Sequence, residues 1–172
     1  MFDNNRPKLK LEKTTLDYII EYSTFGLLAC SLVYTIYYYG SLPEKIPMHF
    51  NASGEVNSYG SKNSIWALYG IAITTVIGMY FLNKSPHIFN YPQKITKDNA
   101  QKSYTDATKM LRYLNFGIAL LFSTIGYEIV SIALNSSNSF TTYSNYIIIV
   151  IIATMTLFPI FYVIKNLGKK KD

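Results

Sequence analysis

The chain has 172 residues, of which 49% are hydrophobic, 16% are aromatic and only 15% are charged. Soluble domains usually carry about a quarter charged residues, so this composition excludes an ordinary soluble domain. A single cysteine, Cys30, excludes an internal disulfide framework and a zinc site built from cysteines. The formal net charge of +6 raises the question of nucleic-acid binding. Because the basic residues form no face interleaved with stacking aromatics, we expect no nucleic-acid partner.

Four apolar segments are each long enough to cross a bilayer as a helix, which takes roughly 20 residues for about 30 Å of hydrocarbon. They predict helices over residues 16–39, 64–82, 97–134 and 146–165. The first segment is too long for a cleavable signal peptide, lacks an Ala-x-Ala cleavage site and is soon followed by a second span. We therefore expect an all-α membrane protein with four transmembrane helices, forming a single integral membrane domain over residues 1–172.

The basic residues predict the orientation of these helices. Fourteen of the 16 lie before the first helix, in the connection from the second helix to the third with the flanking first part of the third helix, or in the C-terminal tail from Lys165 on. Only Lys45 and Lys62 lie in the other two connections. The positive-inside rule then places both termini and residues 83–109 in the cytoplasm. Residues 42–62 form the first connection, which should be extracytoplasmic. Trp66 and Tyr69, near the start of the second helix, should anchor at the headgroup level on that side.

Several features predict how the helices are built and packed. Thr96 is typical of an N-cap, and the helical pattern after it predicts one unbroken helix from Lys97 through the third span. Spacing of four residues between Gly70, Thr74 and Gly78 produces a stripe that allows another helix to approach closely. Pro159 should kink the fourth helix. In the third helix a polar stripe should face the bundle interior; it comprises Gly117, Thr124, Glu128, Ser131 and Asn135.

Three acidic side chains near or within the spans are candidates for a functional role. Asp17 and Glu21 should lie at the cytoplasmic boundary, solvated or paired with neighbouring lysines. Glu128 follows Arg112 by a distance of roughly 24 Å along a helix, which places it inside the hydrocarbon. An acid at that depth is a functional candidate, with a hydrogen-bonded structural role as the alternative. We expect Glu128 to face the interior and to meet a polar group of the first connection or the first helix.

The first connection carries the most informative pattern. Ile46, Met48 and Phe50 alternate with less apolar residues, which predicts a strand, and residues 51–54 supply a turn. Residues 55–59 would return as a second strand. Together they predict a small β-hairpin between the first and second helices, whose apolar face should lie on the helix ends or on the bilayer surface because a lone two-stranded ribbon is marginal in water.

Residues 42–62 read Leu-Pro-x-x-Ile-Pro-x-His-Phe-Asn-x-x-Gly-Glu-Val-x-x-Tyr-Gly-Ser-Lys. This pattern resembles the signature of a bacterial membrane family called domain of unknown function 1648, the N-terminal module of SdpI-type immunity proteins. Residues 90–100 also resemble members of that family. The resemblance implies a multi-pass protein of the bacterial cytoplasmic (inner) membrane with a role in toxin immunity or envelope sensing through the hairpin. Its motif supplies candidate binding residues, to which Glu128 is added: Pro43, Ile46, Pro47, His49, Phe50, Asn51, Gly54, Gly60 and Lys62.

His49 is the motif residue whose side chain could serve the widest range of chemical roles. A metal site would need two or three further ligands, and the same side of the membrane offers only Glu44, Glu55, Glu128 and amides. A structural histidine in the hairpin is therefore favoured over a metal ligand or general base. The sequence also lacks a nucleophile elbow and a glycine-rich phosphate loop. We expect no catalytic residues, no cofactor and no metal.

Membrane lipids and either another membrane protein or a peptide ligand are the expected partners. The alternative to immunity or sensing is an accessory subunit that docks onto a larger envelope complex through its helical stripes. A transporter or channel ranks last, because the spans carry a single deeply placed ionisable residue, Glu128, and a single internal proline, Pro159. Copurifying companions in mild detergent would favour the subunit.

Overall fold

The computed structural model describes residues 6–167, with the side chains of residues 165–167 excepted. Its helices and strands are α1 (Thr15–Tyr38), β1 (Lys45–Phe50), β2 (Val56–Ser61), α2 (Ile65–Leu82), α3 (Lys97–Asn135) and α4 (Thr142–Leu167). Each of the four α-helices is long and apolar enough to cross a membrane. The predicted four helices and the hairpin between the first two are confirmed. Three basic residues used to predict orientation lie outside the described residues: Lys169, Lys170 and Lys171.

The burial pattern of α1 is inverted relative to a soluble helix. Its buried residues lie on one face and are mostly polar: Asp17, Thr24, Leu28, Ser31 and Thr35. Apolar side chains such as Ile19, Val33 and Ile36 are exposed on the other faces. A helix that turns polar groups inward and aliphatic groups outward fits a lipid surround, since hydrocarbon offers no hydrogen-bond partners. The structure thus supports a multi-pass membrane protein.

α3 is the central helix, in contact with α1, α2, α4 and β1. It begins as predicted after Thr96, whose backbone N–H donates to Asn99 Oδ1 over 2.9 Å. It runs unbroken for 39 residues and ends before Ser136, which adopts a left-handed conformation with φ of 54°. This single residue turns the chain back towards α4.

α4 begins four residues earlier than predicted, at Thr142 instead of Tyr146. The Thr141 hydroxyl accepts a 3.3 Å hydrogen bond from the backbone N–H of Ser144, which caps the helix. Hydropathy predicts that α4 starts where the aliphatic run begins. It does not distinguish the polar first turn, residues 142–145, from a connection.

α2 packs on the bundle through a face made of Ile65, Tyr69, Ala72 and Val76. The stripe predicted to receive a helix lies on another face of α2. Gly70, Thr74 and Gly78 are exposed, and no atom of a neighbouring element lies within 4 Å of a Cβ built at either glycine. Within the described part of the chain, no helix covers this stripe.

Residues 6–14 and 83–96 pack together at the end of the bundle away from the hairpin. Arg6 Nη1 donates to the backbone oxygens of Phe89 over 2.6 Å and of His87 over 3.3 Å. Ile95, Ala100 and Tyr104 form a small second core there with Leu11 and Tyr91. Burial raises the pKa of the Tyr91 hydroxyl, which donates to the backbone oxygen of Pro86 over 2.9 Å. His87 lies in a short 3₁₀ turn of this loop.

Candidate functional site

The hairpin turns where the sequence predicted. β1 and β2 pair antiparallel, with Lys45 opposite Ser61 and Phe50 opposite Val56, and the register shifts around His49. Asn51 organises the turn, because its Oδ1 accepts hydrogen bonds from the backbone N–H groups of Ser53 (3.0 Å) and Glu55 (2.9 Å). Gly54 has a φ of +80°, a conformation in which a side chain is strained. Asn51 and Gly54 therefore shape the turn, and this structural role accounts for both residues without a ligand.

The hairpin is fixed to the bundle on two sides. Ile46 is 0% exposed and Pro47 is also buried, and both lie on the strand that contacts α3. Phe50 stacks on Phe140, with ring centroids 4.2 Å apart. The connection between α3 and α4 adds backbone hydrogen bonds of 2.8 Å, from Val56 N–H to Asn138 O and from Phe140 N–H to Gly54 O. The two connections thus form one folded unit at this end.

Of the remaining motif residues, two stabilise the hairpin and two are exposed. Lys62 Nζ forms an ion pair of 2.9 Å with Glu44, and a Cβ on Gly60 would meet Met48 Cγ at 2.7 Å. Both residues close the base of the hairpin. Pro43 and His49 are exposed. Among the described residues, no group of three or more His, Cys, Asp or Glu side chains is arranged to hold a metal ion.

Glu128 lies directly beneath this unit and is 0% exposed, as predicted. Its predicted partners are wrong. Glu128 Oε1 accepts hydrogen bonds from the hydroxyls of Thr141 (3.1 Å) and Ser144, and Oε2 accepts from the Thr141 N–H at 3.3 Å. These groups belong to the α3–α4 connection and to α4, because the left-handed Ser136 folds the start of α4 back over the last turns of α3. Glu128 therefore joins α3 to α4 instead of α3 to the hairpin or α1.

A cluster of hydroxyls links α1, α2 and α3 below the hairpin. The Tyr69 hydroxyl lies 2.8 Å from Ser31 Oγ and 2.6 Å from Thr35 Oγ1, and it donates to the Ser31 backbone oxygen over 3.0 Å. Tyr69 is only 2% exposed, so its prediction as an interfacial anchor is wrong. Gly126 on α3 leaves the space that the tyrosine hydroxyl occupies. Trp66, which is exposed, fits the interfacial role better.

A second charged site lies at the opposite end of the bundle and was missed. Arg112 is 7% exposed and binds two carboxylates, with Nη1 2.6 Å from Asp17 Oδ1 and Nε 2.9 Å from Glu21 Oε1. Lys13 Nζ lies 2.5 Å from Glu21 Oε2. The lysine partner expected for Glu21 is confirmed, but Asp17 is buried and takes Arg112 instead. From the sequence, Arg112 contributed only to the predicted orientation and to the depth assigned to Glu128, although an arginine at the start of an apolar run was the available clue.

One known family matches the part of the chain that contains the hairpin. Residues 26–73 match the family model described as a domain of unknown function, DUF1648. The resemblance found in the sequence is confirmed over this segment. No curated protein and no solved structure matches the chain.

The DUF1648 segment covers about half of α1, the whole hairpin and the first half of α2. It contains Ser31, Thr35 and Tyr69, so the hydroxyl cluster and the hairpin belong to the same matched unit. Glu128 and Arg112 both lie on α3, outside the segment. The matched region is therefore completed by α3, which provides Gly126 beneath Tyr69 and the surface that receives Ile46.

Proposed function

We propose that this chain is a multi-pass protein of the bacterial cytoplasmic membrane whose DUF1648 hairpin binds a peptide or a membrane-protein partner, in toxin immunity or envelope sensing. The exposed aliphatic faces and the four long apolar helices support the membrane location. The distribution of basic residues supports cytoplasmic termini and an extracytoplasmic hairpin. The function proposed is binding, without catalysis.

The observation that carries this proposal is the way in which the hairpin is held. Ile46 and Pro47 are buried and Phe50 stacks on Phe140, while His49, Asn57 and Tyr59 are exposed. A surface that is already ordered loses little conformational entropy when a partner binds. The exposed residues of the DUF1648 hairpin are thus suited to recognition, whereas its buried residues explain the apolar part of the motif.

In-cell photocrosslinking tests this proposal. A benzoylphenylalanine in place of Asn57 should give a discrete adduct in cells that produce the partner, and the same group in place of Lys97, at the other end of the bundle, should give none. His49→Ala should lower the yield at position 57. Ser41→Ala, an exposed change at the same end but outside the strands, should leave it unchanged. Absence of an adduct at position 57, or equal yields in the two variants, would contradict hairpin binding.

A second candidate function is that of an accessory subunit docked through α2. The exposed stripe of Gly70, Thr74 and Gly78 favours it, because small residues allow close helix contact in membranes. In this case Gly70→Leu and Gly78→Leu would remove a stoichiometric companion from protein purified in mild detergent, and His49→Ala would not. Retention in both glycine variants would reject the docking role.

A further inference from the structure

A cavity of about 210 Å³ lies beside the Arg112 site, between residues 9–13, the end of α2 and the cytoplasm-directed part of α3 as proposed above. Four basic residues line it, Lys10, Lys13, Lys84 and Arg112, against a single acidic residue, Glu21. The cavity is separate from the hairpin, which occupies the opposite end of the bundle. Neither the DUF1648 match nor the proposed function accounts for it.

The ion pairs around the cavity do not neutralise all of its basic residues. Glu21 is shared between Lys13 and Arg112, and Asp17 also binds Arg112. Among the described side chains, no carboxylate oxygen lies within 4.0 Å of the Lys10 or Lys84 ammonium groups. Lys84 Nζ instead lies 4.3 Å from the ring centroid of Tyr80. Lys10 and Lys84, which both line the cavity, therefore have no acidic partner among the described side chains.

The wall of the cavity also contains an unsatisfied acceptor. Asn83 Oδ1 is buried and has no hydrogen-bond partner among the described residues. A buried amide oxygen without a donor is costly, so hydrogen bonding is incomplete beside the cavity. Leu9, Phe81 and Leu82, all exposed at the same end, provide apolar surface next to the charged groups.

We infer that this cavity binds a phosphate group, carried by an anionic phospholipid headgroup or free in solution. Lys10 and Lys84 supply the positive charge for a phosphate oxygen, as basic pockets at membrane boundaries do for anionic headgroups. The cavity lies where α1 begins at Thr15 and α2 ends at Leu82, which is the level of headgroups for helices of this length. The acyl chains of such a lipid would lie against the exposed apolar residues at this end.

Native mass spectrometry of the full-length chain in detergent tests the inference with three probes: phosphatidylglycerol, phosphatidylcholine and inorganic phosphate. The Lys10→Gln/Lys84→Gln variant removes only lysines without ion pairs, so folding should be retained. Its affinity for phosphatidylglycerol should fall about 30-fold. The Lys97→Gln/Lys102→Gln control makes the same change of charge on exposed lysines of α3 and should bind as the wild type does.

The outcomes separate the two phosphate sources. Preference for phosphatidylglycerol over phosphatidylcholine, lost only in Lys10→Gln/Lys84→Gln, identifies a lipid headgroup. Binding of inorganic phosphate with the same dependence on Lys10 and Lys84, and no preference between the lipids, identifies a free anion. Equal loss in both double variants, or no dependence on either pair for any probe, would overturn the inference. His49→Ala should affect none of these measurements, so failure here is distinguishable from failure of the hairpin proposal.

Discussion

Arg112 on α3 and Asp17 on α1 are 95 positions apart in the chain, yet Arg112 Nη1 and Asp17 Oδ1 lie 2.6 Å apart in a buried site. Asp17 is also held from its other side, because its Oδ2 accepts hydrogen bonds of 2.8 Å from both the N–H and the hydroxyl of Thr14. The carboxylate thus caps α1 and binds α3 at once. This contact fixes the N-terminal end of the first helix against the central helix.

Removal of the arginine should be strongly destabilising. Arg112→Met leaves Asp17 buried without its cation, and the expected loss in the free energy of unfolding is about 3–5 kcal/mol. Arg112→Lys should be intermediate, since one ammonium group cannot reach two carboxylates in the same geometry. Unfolding by SDS titration in a fixed detergent measures both effects.

Lys102→Met, which removes an exposed basic side chain of the same helix, is the control for Arg112→Met. The double variant Asp17→Asn/Arg112→Met should be more stable than Arg112→Met alone, because no uncompensated charge remains at that position. Equal losses for Arg112→Met and Lys102→Met would show that the buried ion pairs do not hold the bundle together.

The Arg112 site also shows which contacts could not be predicted from the sequence. Hydropathy predicts the helices because crossing hydrocarbon demands a long apolar run, and alternation with a turn signal predicts the hairpin because both are local properties. The pairing of Arg112 with Asp17 depends on which helix lies beside which, a long-range property. Tyr69 was misplaced for the same reason: only the neighbouring Ser31 and Gly126 show that its hydroxyl is buried. The burial of Glu128 was predicted correctly, but its partners were not. The left-handed conformation of Ser136, which brings α4 to Glu128, could not be predicted from the sequence.

Gly126 should tolerate no side chain. A Cβ at this position would lie 2.5 Å from the Tyr69 hydroxyl oxygen, so Gly126→Ala must displace α2 or break the hydroxyl cluster. The expected cost is about 1–3 kcal/mol of unfolding free energy, measured by SDS titration. Gly117→Ala on the same helix meets only the flexible Met155 side chain at 3.0 Å and should cost less. Adding Tyr69→Phe should recover part of the loss at Gly126; no recovery would show that the hydroxyl is not the obstacle.

The orientation proposed for the membrane can be checked with single cysteines. In a Cys30→Ser background, Ser53→Cys and Ser137→Cys should react with a membrane-impermeant thiol reagent in spheroplasts, because both positions are exposed at the hairpin end. Lys102→Cys, also exposed but at the opposite end, should react only after permeabilisation. Labelling of position 102 in sealed spheroplasts would reverse the orientation.

Gly54 should be required for the turn of the hairpin. Its φ of +80° is unfavourable for a residue with a side chain, and a Cβ would lie 3.0 Å from Phe140 Cδ2. Gly54→Val should therefore cost about 1–2 kcal/mol from the backbone alone and should loosen the contact with the α3–α4 connection. The measurements are unfolding free energy and the rate of proteolysis within residues 51–57. Gly40→Val, at a position with open space around it, is the control, and equal effects at the two glycines would argue against the turn geometry.

Glu128 should stabilise the start of α4 by accepting hydrogen bonds. Glu128→Leu leaves the Thr141 N–H and two hydroxyls without their acceptor, at an expected cost of about 2 kcal/mol. Glu128→Gln should be milder, because its amide oxygen can still accept from Thr141 and Ser144 while its NH₂ group cannot accept from the Thr141 N–H. Ser131→Ala, one turn further along α3, is the control with little expected effect.

Two readouts distinguish this hydrogen-bonded role from a general need for polarity at position 128. Unfolding free energy should rank wild type above Glu128→Gln and Glu128→Gln above Glu128→Leu. Combining Glu128→Leu with Ser144→Ala should cost less than the sum of the two single changes, because both remove the same bond. If Glu128→Leu unfolds as the wild type does, the carboxylate contributes nothing to the junction of α3 and α4. The hydroxyls of Thr141 and Ser144 would then be satisfied without it.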